Sequence, residues 1–179
     1  MVEDIRVLVT YASERGSTAE IADAIGDALR AAGVAADVRP TREAQDLSPY
    51  RAVVMGSALY MMRWRPEAVR FLKLRRRELA ERTVWLFQSG PLDDSADTTE
   101  IALPRKVGAL AASIGIRGHV TFGGRLDAGA AGFIASRMAK TAAGDFRNFP
   151  RIRAWATAIA GEIRASAAVE RRGATPGTH

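Results

Sequence analysis

The chain has 179 residues, 47% of them apolar and 26% charged, which fits one globular domain with a substantial core. It contains no cysteine and two histidines, His119 and His179, so disulfides, thiolate metal sites, iron–sulfur clusters and thiol nucleophiles are excluded, and Ser-His-Asp catalysis is poorly supplied. No apolar run approaches the ~20 residues of a membrane helix, and Met1-Val2-Glu3-Asp4 is acidic where a secretory signal is basic, so a cytoplasmic location is expected.

Ile5 to Thr10 (IRVLVT) is mostly apolar and β-branched, the pattern of a strand buried on both faces of a parallel sheet. After Tyr11-Ala12-Ser13-Glu14-Arg15-Gly16-Ser17 comes a helical pattern from Thr18 to Ala32, with Ile21, Ala22, Ile25, Ala28 and Leu29 on one stripe and Gly33 just past its end. Val34 to Arg39 reads as a second strand and Pro40 to Tyr50 as a polar connection. Ala52 to Gly56 (AVVMG) reads as a third, central strand, with a loop from Gly56 to Arg65. Pro66 opens a helix at its first turn, and the pattern runs to about Glu81. Thr83 to Gln88 is a fourth strand and Ser89 to Leu103 a polar loop. Pro104 starts a helix ending near Ile114, and Gly118 to Gly123 is a fifth strand. Gly124 to Phe149 is a Gly/Ala-rich excursion with a short helix expected around Phe133 to Ala142. The last helix is expected from about Pro150 to Ala165, followed by a tail, 166–179, without apolar periodicity and expected to be disordered.

Five strand–helix alternations predict an α/β three-layer sandwich over residues 1–165 with a five-stranded parallel sheet; right-handed crossovers leave few topologies, and the order 2-1-3-4-5 is expected as the common one at this length. In such sheets ligands sit beyond the carboxyl ends of the strands, where the winding reverses between strands one and three. The segment Ser13-Glu14-Arg15-Gly16-Ser17-Thr18 falls there, at a helix start. Free backbone N–H groups and the helix dipole favour a phosphate at such a place, Gly16 permits the turn, and the hydroxyls add donors. No lysine follows the glycine, so this is not a nucleoside triphosphate P-loop, nor is it the Gly-x-Gly-x-x-Gly dinucleotide fingerprint. The bland alternative is a helix start that Ser17 or Thr18 merely caps. The second rim loop holds Gly56, Ser57 and Ala58, then Leu59, Tyr60, Met61, Met62, Arg63 and Trp64: small residues first, then polarizable and aromatic ones able to stack on a ring. The third, Ser89, Gly90, Pro91 and Leu92, is again small at a strand end. Together the three suit a phosphate joined to a planar ring.

On these residues the chain resembles the flavodoxin family. Tyr11-Ala12-Ser13-x-x-Gly16-x-Thr18 is similar to the family's FMN phosphate loop, and Gly56-Ser57-Ala58-Leu59-Tyr60 and Ser89-Gly90-Pro91 to its two ring-contacting loops. The resemblance covers roughly residues 3 to 165 and implies a flavodoxin-like three-layer sandwich and FMN. A narrower resemblance, to the quinone-dependent protoporphyrinogen oxidase-like flavodoxin-domain proteins, rests on Phe122-Gly123-Gly124-Arg125-Leu126 and Gly144-Asp145-x-Arg147. It implies an oxidoreductase passing electrons from a porphyrinogen to a quinone, with Arg125 and Arg147 as candidates for substrate carboxylates. The segment Asp127 to Ala143 departs from that pattern, being mostly Gly and Ala. The alternative is a non-catalytic electron carrier meeting a redox protein.

The net charge of +6 is nearly all arginine, with lysine only at 73, 106 and 140. The run Lys73-Leu74-Arg75-Arg76-Arg77 is a solvated helix face or a peripheral contact with anionic lipid, and no nucleic-acid partner is expected. Tyr60 and Trp64 are candidates for stacking on the ring, and His119 reads as a structural strand residue. A phosphoacceptor receiver domain of the same topology needs acids where this chain has Thr10, Tyr11, Met55 and Gly56.

Overall fold

The computed structural model describes residues 5–13, 16–126 and 144–173. Its sheet follows from strict alternation of apolar side chains to two faces. In β1 (Arg6–Ala12) Val7 and Val9 point one way and Leu8 the other, all fully buried. In β3 (Ala52–Tyr60) Val54 faces one layer and Val53 and Met55 the other. In β5 (Thr83–Ser89) Trp85 and Phe87 oppose Val84 and Leu86. With β2 (Ala35–Pro40) and β6 (Gly118–Phe122) these strands pair in parallel in the order β2-β1-β3-β5-β6. This is the expected 2-1-3-4-5 arrangement. A sixth, short strand, β4 (Arg63–Trp64), is added where β3 folds back antiparallel on itself.

One face carries α1 (Ser17–Ala31) and α6 (Phe149–Gly173), which supply Ile21, Ile25, Leu29, Ile152 and Ile159 to a core with Phe87 and Phe122. The other carries α2 (Pro66–Leu74), α3 (Arg76–Ala80) and α5 (Arg105–Ile114), burying Phe71, Leu72, Leu79, Val107 and Ile114. A single turn, α4 (Ser95–Thr98), stands in the loop after β5.

Several expected boundaries move. The helix expected from Pro66 to about Glu81 breaks at Arg75 (φ −98°, ψ 9°), and Arg75 bonds Glu78 across the break. The third strand continues four residues past Gly56, through Ser57, Ala58, Leu59 and Tyr60, which the sequence places in a loop. The last helix continues past Ala165 to Gly173. Ala165, Ala167, Ala168, Glu170, Arg171 and Arg172 are good helix formers, and Glu170 is tied to Arg51 at 2.7 Å. Apolar periodicity misses this stretch because it buries little. The helix expected at Phe133 to Ala142, and residues 174–179 of the expected tail, lie outside the described residues.

A two-stranded ribbon, β7 (Arg125–Leu126) with β8 (Gly144–Asp145), closes the excursion after β6. Its base is tightly fitted. A Cβ on Gly123 would run into the Phe146 carbonyl, and one on Gly124 would stand 3.1 Å from Gly90.

Gly56 and Phe87 are paired neighbours on β3 and β5, and the Phe87 ring fills the space where a Gly56 side chain would be. Gly56→Ala is therefore expected to destabilise the fold by about 1–3 kcal/mol through overpacking. Phe87→Leu added to it should recover part of that loss, although Phe87→Leu alone is destabilising. Urea unfolding of the three variants checks this, and additive effects would contradict it.

Candidate functional site

The β1, β3 and β5 carboxyl ends deliver three loops to one rim, and direct contacts hold these loops together. Thr18 Oγ1, at the start of α1, shares a 2.9 Å hydrogen bond with Ser89 Oγ, at the end of β5, and both residues are buried. Gly90 lies so close to the Leu59 carbonyl that a Cβ on it would collide with that oxygen. The Gly124 N–H donates to the Pro91 carbonyl at 2.8 Å, and the Gly90 N–H to the Phe122 carbonyl at 3.3 Å. The expected residues Ser13, Gly16, Ser17, Thr18, Leu59, Ser89, Gly90 and Pro91 thus belong to one rim, while Glu14 and Arg15 lie outside the described residues.

The start of α1 is open. Its N-cap is Gly16 at φ 82°, a left-handed conformation that suits glycine, and no side chain caps the helix. Neither Ser17 nor Thr18 acts as a simple cap: Thr18 bonds Ser89, and Ser17 Oγ is buried without a hydrogen-bond partner among the described residues. Ser13 Oγ accepts the Gly16 N–H at 3.1 Å and so shapes the turn. Uncapped first-turn N–H groups, a helix dipole and an orphaned hydroxyl fit an anion such as a phosphate.

The second loop is a hairpin tip. Met61 and Met62 both have positive φ (47° and 59°), joining β3 to β4, and both are exposed together with Tyr60. Two consecutive left-handed residues suit a tight hairpin but strain methionine, whose Cβ is disfavoured there. The Ser57 hydroxyl faces inward, accepting the Arg65 N–H at 3.0 Å and donating to the Ala58 carbonyl at 2.9 Å. Trp64 does not face the rim. It is buried, and its indole N–H donates to Gln88 Oε1 at 2.9 Å, while Gln88 Nε2 reaches Thr121 Oγ1 at 2.9 Å. Tyr60 is thus the aromatic side chain available at the tip.

Arg125 and Arg147, candidates for substrate carboxylates, are engaged within the protein. Arg147 has a side chain 4% exposed, chelates Asp145 through Nε (2.8 Å) and Nη2 (2.7 Å), and donates through Nη1 to Glu20. Arg125 donates to both oxygens of Glu20 at 3.2 and 3.3 Å. These pairs were not legible from spacing, since Glu20 lies far from 125 and 147 in the chain. His119 stands in β6 as expected, but its Nε2 is buried without a hydrogen-bond partner among the described residues. A cavity of about 480 Å³ opens at the opposite, amino end of the strands, beside Tyr50, Arg51, Arg117 and Glu162, and has no part in the rim. Among the described residues no cluster of metal-ligating side chains occurs, and no helix is long and apolar enough to cross a membrane.

A family profile described as "Flavodoxin domain" matches residues 8–143. Among solved structures, the chain is similar to a flavodoxin from the domain Archaea, at 14% identity and a TM-score of 0.60, over 89% of this chain and 99% of that one. A flavodoxin of Streptococcus pneumonia TIGR4 is similar at 17% identity and a TM-score of 0.56, over 90% and 99% of the respective chains. Rubredoxin oxygen:oxidoreductase from Desulfovibrio gigas is similar at 14% identity and a TM-score of 0.52, over 83% of this chain and 36% of that one. At these identities the likeness concerns the fold. No curated protein matches the sequence.

Hydrogen bonds from Arg147 hold the carboxyls of both Glu20 and Asp145 below the usual carboxylate range. A depressed folded-state pKa contributes stability that is present above the unfolded value, about 4, and is lost as pH falls through the folded value. The gap in Tm between the wild type and Glu20→Gln is therefore expected to be constant from about pH 5 to 8 and to close toward pH 3. Thermal unfolding across that range checks it, and a gap that widened on acidification would contradict the assignment.

Proposed function

The chain belongs to the flavodoxin domain family, and from that premise we propose that it binds FMN at the shared rim and works as an electron-transfer flavoprotein. The observation that carries this reading is the uncapped start of α1, with Gly16 left-handed and Ser17 Oγ without a partner among the described residues, held by the Thr18–Ser89 bond against the third loop. When bound, FMN supplies one- and two-electron redox chemistry that no side chain of this cysteine-free chain provides.

In this reading the loop from Ser13 through Glu14, Arg15, Gly16, Ser17 and Thr18 holds the phosphate. Ser17 donates its free hydroxyl, the first turn of α1 donates backbone N–H groups, and the helix dipole opposes the negative charge. Ser57, Ala58, Leu59, Tyr60 and Met61 line one side of the ring. Tyr60 offers an aromatic face, and Ser57 contributes through the backbone because its hydroxyl is spent on Arg65 and Ala58. Ser89, Gly90, Pro91 and Leu92 line the other side, where Gly90 lets backbone approach closely. No acid/base triad is needed, since the protein's task is to orient the ring and exclude water around it.

The partner in the carrier reading is a second redox protein. A finer reading is a dehydrogenase with a small-molecule donor and acceptor, in the extreme a protoporphyrinogen oxidase-like enzyme delivering electrons to a quinone. The observation in its favour is the β7–β8 ribbon with the segment 127–143 beyond it, which a simple carrier does not need. Arg147 is nearly buried and saturated by two carboxylates, so it does not serve that reading as a substrate clamp. In this reading the protein works in the cytoplasm. A peripheral membrane contact would use Lys73 and Arg76 around Leu74, which is 70% exposed.

Visible absorption after desalting tests the reading. Flavin bands that stay with the protein, or quenching of added FMN fluorescence, are expected. A colourless protein that leaves FMN fluorescence unchanged overturns it. Ser17→Ala should weaken FMN about tenfold, the worth of a hydrogen bond to a charged group. Because Ser17 Oγ bonds nothing among the described residues, the same substitution should leave the Tm unchanged or slightly raised.

A further inference from the structure

We propose that Arg147 is a positioning residue for the FMN phosphate, acting through Glu20. The proposal rests on the FMN reading and deepens it. Arg147 occupies an unusual position for a cation: its side chain is 4% exposed, yet it lies in the short link between β8 and α6 rather than in the core. It meets Asp145 as a two-pronged chelate, reaches Glu20 with its remaining nitrogen, and stands 5.0 Å over the Phe149 ring. Arg125, on β7, donates to both oxygens of the same Glu20. Among the described residues, two cations and two carboxylates balance in one cluster, and the planar fork of arginine is what allows one side chain to serve two acids.

The place of Glu20 gives the cluster its consequence. Glu20 belongs to the first turn of α1, and its N–H donates to the carbonyl of Gly16, the residue at the turn of the phosphate loop. An uncompensated carboxylate there would be a like charge one helical turn from a phosphate dianion. Arg147 and Arg125 cancel it. The same arginine also connects two walls of the rim. Its neighbour Phe146 donates an N–H to the Gly124 carbonyl at 2.9 Å, and Gly124 donates in turn to Pro91 in the third loop. Glu20, Arg147, Gly124 and Pro91 thereby make a continuous path from the phosphate loop to the third loop.

Riboflavin, which has the ring and lacks the phosphate, separates this role from simple support of the fold. Fluorescence titrations with FMN and with riboflavin, alongside thermal unfolding, are made on the wild type, Arg147→Met, Glu20→Gln and the double variant. Arg147→Met is expected to weaken FMN about tenfold while riboflavin changes less than about twofold. Adding Glu20→Gln should bring FMN back to within about threefold of the wild type, because it removes the charge that Arg147 cancels. Arg125→Gln, at a more exposed position, is the milder variant should Arg147→Met fail to fold, and the same selective loss of FMN is expected of it. Equal losses for both flavins, or no loss for either, overturn the proposal. A wild type that binds FMN no better than riboflavin overturns it while leaving flavin binding intact. A wild type that binds neither overturns the FMN reading and the proposal with it.

Discussion

A parallel sheet satisfies its own backbone only between its strands. At the carboxyl edge every chain leaves the ladder with polar groups that must find partners among the loops, in water or in a ligand. The rim of this chain answers that constraint unevenly. The third loop is fully committed: Ser89 is bonded to Thr18, the Gly90 N–H to Phe122, and the Pro91 carbonyl to Gly124. The first loop is not, since α1 starts without a side-chain cap and Ser17 Oγ has no partner among the described residues. Committed groups around an uncommitted one are what an anion receptor needs, since a frame tied by its own hydrogen bonds has less to reorder when a ligand meets the uncapped N–H groups.

The frame is held from behind by the two cores. Phe87, Phe122 and Trp155 interlock with ring centroids 5.7–6.4 Å apart under the ends of β5 and β6, so the strand ends that launch the third loop and the ribbon share one aromatic support. On the opposite face the Trp64–Gln88–Thr121 chain of hydrogen bonds ties β4 to β5 and β6. A buried polar network of this kind is stable only when its members are satisfied, and Gln88 meets its needs with further bonds to the Ile101 and Ala102 carbonyls. Trp64 is therefore a structural post beneath the hairpin, and its inward turn leaves Tyr60 and the two methionines as the exposed part of the tip.

Much of this was legible in the sequence, for identifiable reasons. Buried strands and amphipathic helices announce themselves by period, so β1, α1, β3, β5 and α5 follow from the residues that build them, while the strand order rests on the few topologies that right-handed crossovers allow. The rim was legible as well, because Gly16, Gly90 and their serine neighbours are small residues at strand ends. What stayed hidden depends on contacts between distant parts of the chain or on rare backbone states. Nothing in Met61-Met62 signals a turn, as both residues normally avoid positive φ, so the hairpin read as a loop. Asp145 is near Arg147 in the chain, but Glu20, the partner that Arg147 and Arg125 share, stands on α1, and no spacing rule pairs residues more than a hundred positions apart. The last turns of α6 carry helix propensity without a buried stripe, which periodicity cannot register.

The two ends of the site differ in kind, and the difference suits a redox cofactor. The end proposed for the phosphate has a glycine turn shaped by Ser13, a helix start, and beside it a cluster of two arginines and two carboxylates with one guanidinium almost out of solvent. The end proposed for the ring is a strained two-residue turn with Tyr60, Met61 and Met62 in solvent. Conformational strain persists where the surroundings over-determine it, and here the surroundings are Trp64 and Ser57 beneath the tip. Binding strength resides best in the phosphate, which is remote from the electrons. Control over the ring resides best in a loop whose backbone can shift without releasing the anchor. A chain that placed its rigidity at the ring and its freedom at the phosphate would couple every change of oxidation state to the risk of losing the cofactor; this arrangement separates the two.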